Sequence, residues 1–260
     1  MEELLTLKYF KTYQSLLDVA IEVLFSEVNE KEWTVENFRF YTAVSVMSSS
    51  KIEGETLEVD SYIKHKLLNI EYLPNLIEKP NDLYKAYEFA RDNKLTLENF
   101  FAAHSIATEN LLPKSHRGKI RTGNMLIMDQ LTNRIQYEAA SSSIVNQEFK
   151  KFWKELTTLI NKKLNIEQVF YFASLIHLIF VKIHPFNDGN GRTGRLLEKW
   201  FLATKLGVKA WYIGSENYYY QNLQTYYNNL ARTGLFYDEL EYEKGLPFLL
   251  MLPNALITKK

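Results

Sequence analysis

His184-Pro185-Phe186-Asn187-Asp188-Gly189-Asn190-Gly191-Arg192-Thr193-Gly194-Arg195 is the stretch that decides how this chain folds. The residues before it, Val169 to Ile183, are apolar nearly all round, as in a helix buried on every side. Those after it, Leu196, Leu197, Trp200 and Phe201, recur at helical spacing until Gly207. The string therefore reads as a tight loop between two core helices.

The loop's composition is chemical. Pro185 disfavours helical geometry at the residue before it, so the first helix ends at His184 and leaves an imidazole at the loop edge, able to accept a proton. Gly189 and Gly191 flank Asn190, permit positive φ and let successive backbone N–H groups converge on an anion. The next helix starts at once, so its partial positive end points at the same place. Arg192 and Arg195 lie three apart on one face, and guanidinium forks suit phosphate oxygens. Asp188 is a hard oxygen ligand where a magnesium ion bridging phosphates would sit. Taken singly, a helix-ending histidine is an ordinary cap, two arginines in a first turn are an ordinary solvated face, and Arg195 has Glu198 at i+3 as a partner. Together in one loop they read as a polyphosphate site with a base. No Gly-Lys-Ser/Thr follows, so the loop is not a P-loop.

The string HPFNDGNGRTGR fits the signature HPFx(D/E)GNGRxxR at every specified position, and on it the chain resembles the Fic family. The resemblance implies an all-α fold, a Fic helical bundle with a small β-hairpin flap beside the active site. It also implies transfer of AMP from ATP to a Ser, Thr or Tyr hydroxyl of a protein. Carried over position by position, His184 would be the general base and Asp188 the magnesium ligand. Gly189, Asn190 and Gly191 would cradle the α- and β-phosphates, Arg192 would hold the β-phosphate region, and Arg195 the γ-phosphate.

Ser49-Ser50-Lys51-Ile52-Glu53-Gly54 is a second string of this kind. Ser49 and Glu53 stand one turn apart on one helix face, with Gly54 as a terminator. Alone it describes any exposed carboxylate near a helix end. It also resembles the family's inhibitory motif (S/T)xxxE(G/N), which implies that Glu53 pairs with Arg195 and occupies the γ-phosphate's arginine.

At 260 residues the chain suits one large helical domain or a core with a subdomain. With 46% hydrophobic and 14% aromatic residues it can bury a substantial core. Lys plus Arg equals Asp plus Glu at 31 each, which argues against a nucleic-acid or membrane partner. The absence of cysteine excludes disulfides, zinc thiolates and cysteine nucleophiles, and with no basic, apolar leader at MEELLTLKYF it leads to a cytoplasmic expectation. The run Val169 to Ile183 is too short to span a bilayer and carries His177 and Lys182.

Along the chain, Leu16 to Phe25 reads as one helix. Thr34 is a cap for the next, whose apolar Phe38, Tyr41 and Val44 lead to Ser49 and Glu53. Further helices are expected over Val59 to Leu68, Asn81 to Arg91 and Thr96 to Ala107, with Pro74 and Pro80 as punctuation between elements. Asn165, with Gln168 three residues on, opens the central helix. The apolar runs on either side of Asp129-Gln130 and Thr132-Asn133 predict a hairpin. The resemblance makes this hairpin the flap, preceded by the family's Gly-x-x-Arg element, here Gly118 to Arg121. On that reading Gly123, Asn124, Met125, Leu126 and Ile127 dock a target segment by strand addition. The chain departs from the family in having Arg117 before the element and Gln136-Tyr137-Glu138 after the flap.

Tyrosines 218, 219, 220, 226 and 227 at helical spacing are core-like, yet Tyr219-Tyr220-Gln221-Asn222-Leu223 fits a family pattern. In relatives this region borders the adenine, so Tyr220, Tyr227 and Asn228 are candidate base contacts. His104 and His177 read as structural. The expected division is an N-terminal region over 1–95 with an inhibitory helix at 35–54, a Fic core over 96–235, and a tail over 236–260 too short for a winged helix. The partners implied are ATP, magnesium and a target protein, which includes the chain itself, with a homodimer left open. Two rival functions stand beside transfer of AMP. One is a Fic enzyme that moves UMP, phosphocholine or phosphate, or removes AMP; the other is a non-catalytic ATP-binding regulatory module.

Overall fold

The computed structural model describes residues 3–28, 35–128 and 135–257. Its helices run α1 (Phe10–Leu16), α2 (Ile21–Glu27), α3 (Val35–Ile52), α4 (Val59–Leu68), α5 (Pro74–Asp92) and α6 (Leu97–Ala107). The antiparallel pair β1 (Leu126–Met128) and β2 (Ile135–Glu138) follows. Then come α7 (Val145–Asn161), α8 (Ile166–Ile183), α9 (Asn190–Leu206), α10 (Ser215–Gln221), α11 (Leu223–Ala231), α12 (Leu246–Leu249) and α13 (Met251–Asn254). This is the expected all-α bundle with a small two-stranded hairpin.

Helix α8 is the axis. It starts with a complete capping box, in which the Asn165 side chain accepts from Gln168 N–H and the Gln168 side chain accepts from Asn165 N–H. Every residue from Val169 to Ile183 is buried, and α1, α2, α7, α9, α12 and α13 all pack on it. By length and apolarity this helix could cross a membrane, since it starts three residues before the apolar run, but 83% of it is buried in the protein. It is the core helix. One hydrophobic cluster extends from Leu5 to Leu256, so both ends of the described chain pack on the same core.

The structure corrects two sequence expectations. Leu16 to Phe25 is not one helix: Leu17 is extended, and α1 and α2 flank the break. The reason is tertiary, because Phe10 of α1 packs edge-on to Tyr171, while Phe25 of α2 packs edge-on to Phe170. These are adjacent residues on different faces of α8, and the chain must turn to reach both. Pro74 and Pro80 do not separate elements either, for both lie in α5. Pro74 sits at the helix start, where a missing N–H costs nothing. Pro80 is interior, and the burial of Leu83, Tyr84, Ala86, Tyr87 and Ala90 beyond it outweighs the lost backbone bond. The expected cap at Thr34 and the hairpin turn at 129–133 lie outside the described residues. Thr96, by contrast, caps α6 by accepting from Asn99 N–H.

Helix α3 is tied to α9 through a buried lysine. Lys199 Nζ of α9 donates to Ser45 Oγ of α3 at 2.8 Å and to Ile213 O at 2.8 Å, and pairs with Glu216 Oε2 at 2.5 Å. Both charges of that pair are fully buried, so the cation is compensated where it sits. Through this contact α3 runs alongside α9 and delivers its C-terminal end to the loop at 184–195.

Candidate active site

The loop between α8 and α9 begins with strain. His184 has φ 51° and ψ 60°, one of two positive-φ residues other than glycine among those described. Such a conformation costs on the order of 1–3 kcal/mol and persists only where neighbours fix it. Three hydrogen bonds from two neighbours do so. His184 N–H donates to Phe180 O at 2.9 Å, Arg121 Nε donates to His184 O at 2.7 Å, and Arg121 N–H donates to Pro185 O at 2.9 Å. The rest of the Arg121 guanidinium donates to Ile183 O, Gly123 O and Ala140 O. One buried arginine thus binds loop and flap through carbonyls alone.

The imidazole is oriented as a base. Its Nδ1 lies 3.0 Å from Val181 O, which can only accept, so Nδ1 carries the proton and Nε2 keeps its lone pair. Tyr137 of β2 reinforces this, with its hydroxyl donating to Val181 O at 2.9 Å and standing 3.3 Å from His184 Nδ1. Burial pulls the His184 pKa down to about 4, with the cations of Arg121 and Lys182 acting in the same direction and the charge of Glu53 opposing. The ring is therefore neutral at neutral pH. Lys182 lies with Nζ 3.9 Å from the Tyr137 ring centroid, and burial lowers its pKa to about 7.

Phe186 anchors the loop in the core. It stacks on His104 at 3.6 Å between centroids. His104 Nδ1 accepts from Gly118 N–H at 2.9 Å, so its Nε2–H donates to Asp188 O at 3.0 Å. Burial pulls the His104 pKa down to about 4 and keeps the ring neutral in this bridge. Asn190 closes the turn by accepting from Phe186 N–H and donating to Phe186 O. Its side chain is thus spent on shaping the loop. Gly189 caps α9 at φ 78°, and a Cβ there would collide with Thr108, so glycine is required on both grounds.

The first intrahelical bond of α9 is Thr193 N–H to Gly189 O at 2.9 Å, which leaves the N–H groups of Asn190, Gly191 and Arg192 as the helix's unpaired donors. Beside them, Arg192 Nε is buried without a hydrogen-bond partner among the described residues. The cradle is cationic and short of acceptors. Exposed Asp188 stands at its mouth, with Oδ1 accepting from Gly189 N–H at 2.6 Å.

A carboxylate reaches into the cradle from α3. Glu53 is the first residue beyond α3, followed by Gly54 at φ 91°. Glu53 Oε1 lies 2.6 Å from Arg195 Nη2 and so close to Gly191 that any Cβ there would overlap it. Arg195 also donates from Nε to Ser49 Oγ at 2.8 Å and from Nη2 to Ser49 O at 3.1 Å. Burial alone would push the Glu53 pKa up, but the charges of Arg195 and Arg192 outweigh it and hold the carboxyl below its usual range.

Behind Arg195 runs a buried chain of hydrogen bonds. Nη1 donates to Tyr226 Oη at 3.2 Å, and that hydroxyl lies 3.1 Å from His177 Nε2; His177 Nδ1 lies 2.9 Å from Glu198, which also accepts from Tyr219. Glu198 therefore serves His177 and not Arg195.

Tyr220 and Tyr227 meet the end of α3. Lys51 Nζ lies 5.6 Å from the Tyr220 ring centroid, and Tyr227 Oη donates to Ile52 O at 2.9 Å. Asn228 is exposed and accepts from Gln224. Of the flap residues, Gly123 O and Asn124 Oδ1 are held by Arg121 and by Ser142 N–H, and Met125 O accepts from Ala139 N–H. Leu126 and Ile127 pair with Glu138 and Tyr137, and Leu126, Met128 and Ile135 give the hairpin an exposed apolar face.

Arg121, His104 and Tyr137 are the site residues that sequence reasoning missed. In the sequence Arg121 shows only as the end of a Gly-x-x-Arg element, and His104 reads only as structural. Tyr137 stood in a segment that departs from the family pattern, so no signal marked it.

Residues 94–202 match the model of the Fic/DOC family. Over that stretch the chain is similar to a family whose members are typically transferases. Solved structures agree on the fold. A Fic family protein from Desulfovibrio desulfuricans superposes with TM-score 0.74 at 21% identity, covering 91% of this chain and 70% of that one. A Fic domain containing signaling protein from Bacteroides thetaiotaomicron gives 0.68 at 18%, covering 91% and 92%. Fic-1 from C. elegans gives 0.60 at 17%, covering 95% and 69%. No curated protein matches the chain in sequence.

Proposed function

We propose that the chain is a protein adenylyltransferase that moves AMP from ATP to a Ser, Thr or Tyr hydroxyl of a target protein and rests in a state inhibited by Glu53. The observation that carries this reading is the conjunction of a neutral histidine with Nε2 available and a helix-start cradle holding three open N–H groups and two arginines. A base beside a polyphosphate cradle suits attack of a hydroxyl on a phosphate.

In the proposed reaction the target's hydroxyl oxygen bonds to the α-phosphorus in line, the α–β bridging bond breaks, and pyrophosphate leaves. His184 Nε2 takes the hydroxyl proton. The N–H groups at 190–192 and the guanidiniums of Arg192 and Arg195 balance charge on the phosphates. The donor set suits magnesium: one exposed carboxylate, Asp188, stands at the mouth of the cradle. That is the pattern of an ion bound through one carboxylate, phosphates and water. When bound, magnesium would neutralise phosphate charge. The exposed apolar face of the hairpin suits docking of the target segment, and the 2.6 Å contact between Glu53 and Arg195 supports the inhibited state.

The test uses Glu53→Gly with ATP labelled at either the α- or the γ-phosphate, followed by intact mass of the labelled protein. Label from the α-position, with the mass of AMP, is expected. Label from the γ-position would mean phosphate transfer. No labelled protein in the presence of bound ATP would leave the chain a binding module.

A further inference from the structure

Arg192, like Arg195, is paired with a carboxylate, here one outside the inhibitory motif. Glu55 Oε1 accepts from Arg192 Nη2 at 3.0 Å and from Lys79 Nζ at 3.1 Å. The pair is largely out of solvent, with side-chain exposures of 5% for Arg192 and 12% for Glu55. Exposed ion pairs contribute little, but a pair this enclosed leaves an uncompensated charge when one partner is removed. Glu55 stands where it does because of the backbone: its N–H donates to Ser50 O at 3.1 Å, the same carbonyl that accepts from Glu53 N–H at 3.0 Å, and Gly54 reverses the chain between them. One turn hung on one carbonyl therefore presents two carboxylates to two arginines of the same cradle.

We propose that Glu55 is a second inhibitory carboxylate, holding Arg192 away from the nucleotide's β-phosphate while Glu53 holds Arg195 away from the γ-phosphate. The proposal rests on the nucleotide reading above. It adds that removal of Glu53 alone opens half the cradle. The buried Arg192 Nε, lacking a partner among the described residues, is the donor that the open state would satisfy. Lys79, anchored on α5, keeps Glu55 in place when Glu53 is gone, so the two contacts open separately.

Calorimetric titration of AMP, ADP and ATP into the unmodified chain, Glu53→Gly, Glu55→Gln and the double variant tests this, since binding needs no transfer step. Glu55→Gln should tighten ADP by about fivefold or more, the lower bound of a typical coupling between sites. It should leave AMP, which has no β-phosphate, unchanged. The double variant should bind ADP more tightly than Glu53→Gly. Glu55→Ala, with a matching melting temperature, guards against a folding defect in either substitution. An ADP affinity unmoved by both Glu55 variants while Glu53→Gly binds ATP more tightly would overturn the second carboxylate and spare the nucleotide reading. Equal gains for AMP and ADP would mean a merely structural role and overturn it too. A full set of variants blind to ATP would overturn both.

Discussion

Arg195 and Glu53 meet at 2.6 Å across the start of α9, with Ser49 Oγ and O taking two further donors of the same guanidinium. The arginine is therefore occupied on three counts by α3 and the residue that follows it, and the carboxylate sits against Gly191 where an anion would lie. Replacing Glu53 by glycine removes both the competitor and the blockage. Transfer from ATP should rise about 5- to 150-fold, the range of a coupling of about 1–3 kcal/mol. Initial rates of α-label incorporation check it, and an unchanged rate with ATP bound would remove Glu53 from regulation.

The same contact has a pH signature. The folded-state pKa of Glu53 is depressed from an ordinary 4.5, so its contribution to stability is fully present above that ordinary value and is lost as pH falls through the lower folded one. The melting-temperature difference between the unmodified chain and Glu53→Gln should stay flat through neutral pH and shrink only below about 4.5. A difference that disappears near neutrality would place the titrating group elsewhere.

His184 gives the complementary prediction. With its pKa pulled down to about 4, the free enzyme holds the base deprotonated through neutral pH. In Glu53→Gly, kcat/KM should fall only as pH approaches 4, and slightly lower still because the Glu53 charge that favours protonation is gone. An acid limb near the ordinary histidine value would contradict the half-buried, Nδ1-protonated ring. His184→Ala in this background should cost roughly 10² to 10⁴ in rate and leave ATP affinity intact.

Much of this site was legible beforehand because its chemistry is local. His184, Asp188, Gly189, Gly191, Arg192 and Arg195 lie in one string, and Pro185 next to His184 already implied the helix end that the structure resolves as a left-handed turn. The Glu53 contact was foreseen only through the second motif, since nothing in the spacing of residues 49–54 says which helix they face. Arg121, His104 and Tyr137 were not legible as site residues, because each acts through a backbone carbonyl or N–H far away in sequence. Carbonyl acceptors have no residue-type signature. The same holds for the break between α1 and α2, which depends on two adjacent residues of α8 drawing Phe10 and Phe25 to different faces.

Tyr137 offers a test of that hidden layer. Tyr137→Phe keeps the ring beside Lys182 but deletes the hydroxyl that donates to Val181 O and touches His184 Nδ1. One hydrogen bond is worth about 0.5–1.5 kcal/mol net, so single-turnover transfer in the Glu53→Gly background should slow by up to about tenfold with ATP affinity unchanged. A loss of ATP affinity would mean that Tyr137 serves the nucleotide and not the base.

Tyr226 tests how Arg195 is aimed. Its hydroxyl accepts from Arg195 Nη1 and is the link to His177 and Glu198, so Tyr226→Phe removes one acceptor and leaves both Nη1 and His177 Nε2 unpaired in a buried setting. Leaving a buried polar group unsatisfied costs about 1–3 kcal/mol, and for a chain of this size each kcal/mol lowers the melting temperature by about 2–4 °C. In the Glu53→Gly background the freed arginine should also lose its fixed direction, so ATP should weaken while AMP, with no γ-phosphate for Arg195 to meet, binds as before. If ATP and AMP weakened together, the hydroxyl would be supporting the bundle as a whole, and the chain from Glu198 through His177 would have no share in aiming the arginine.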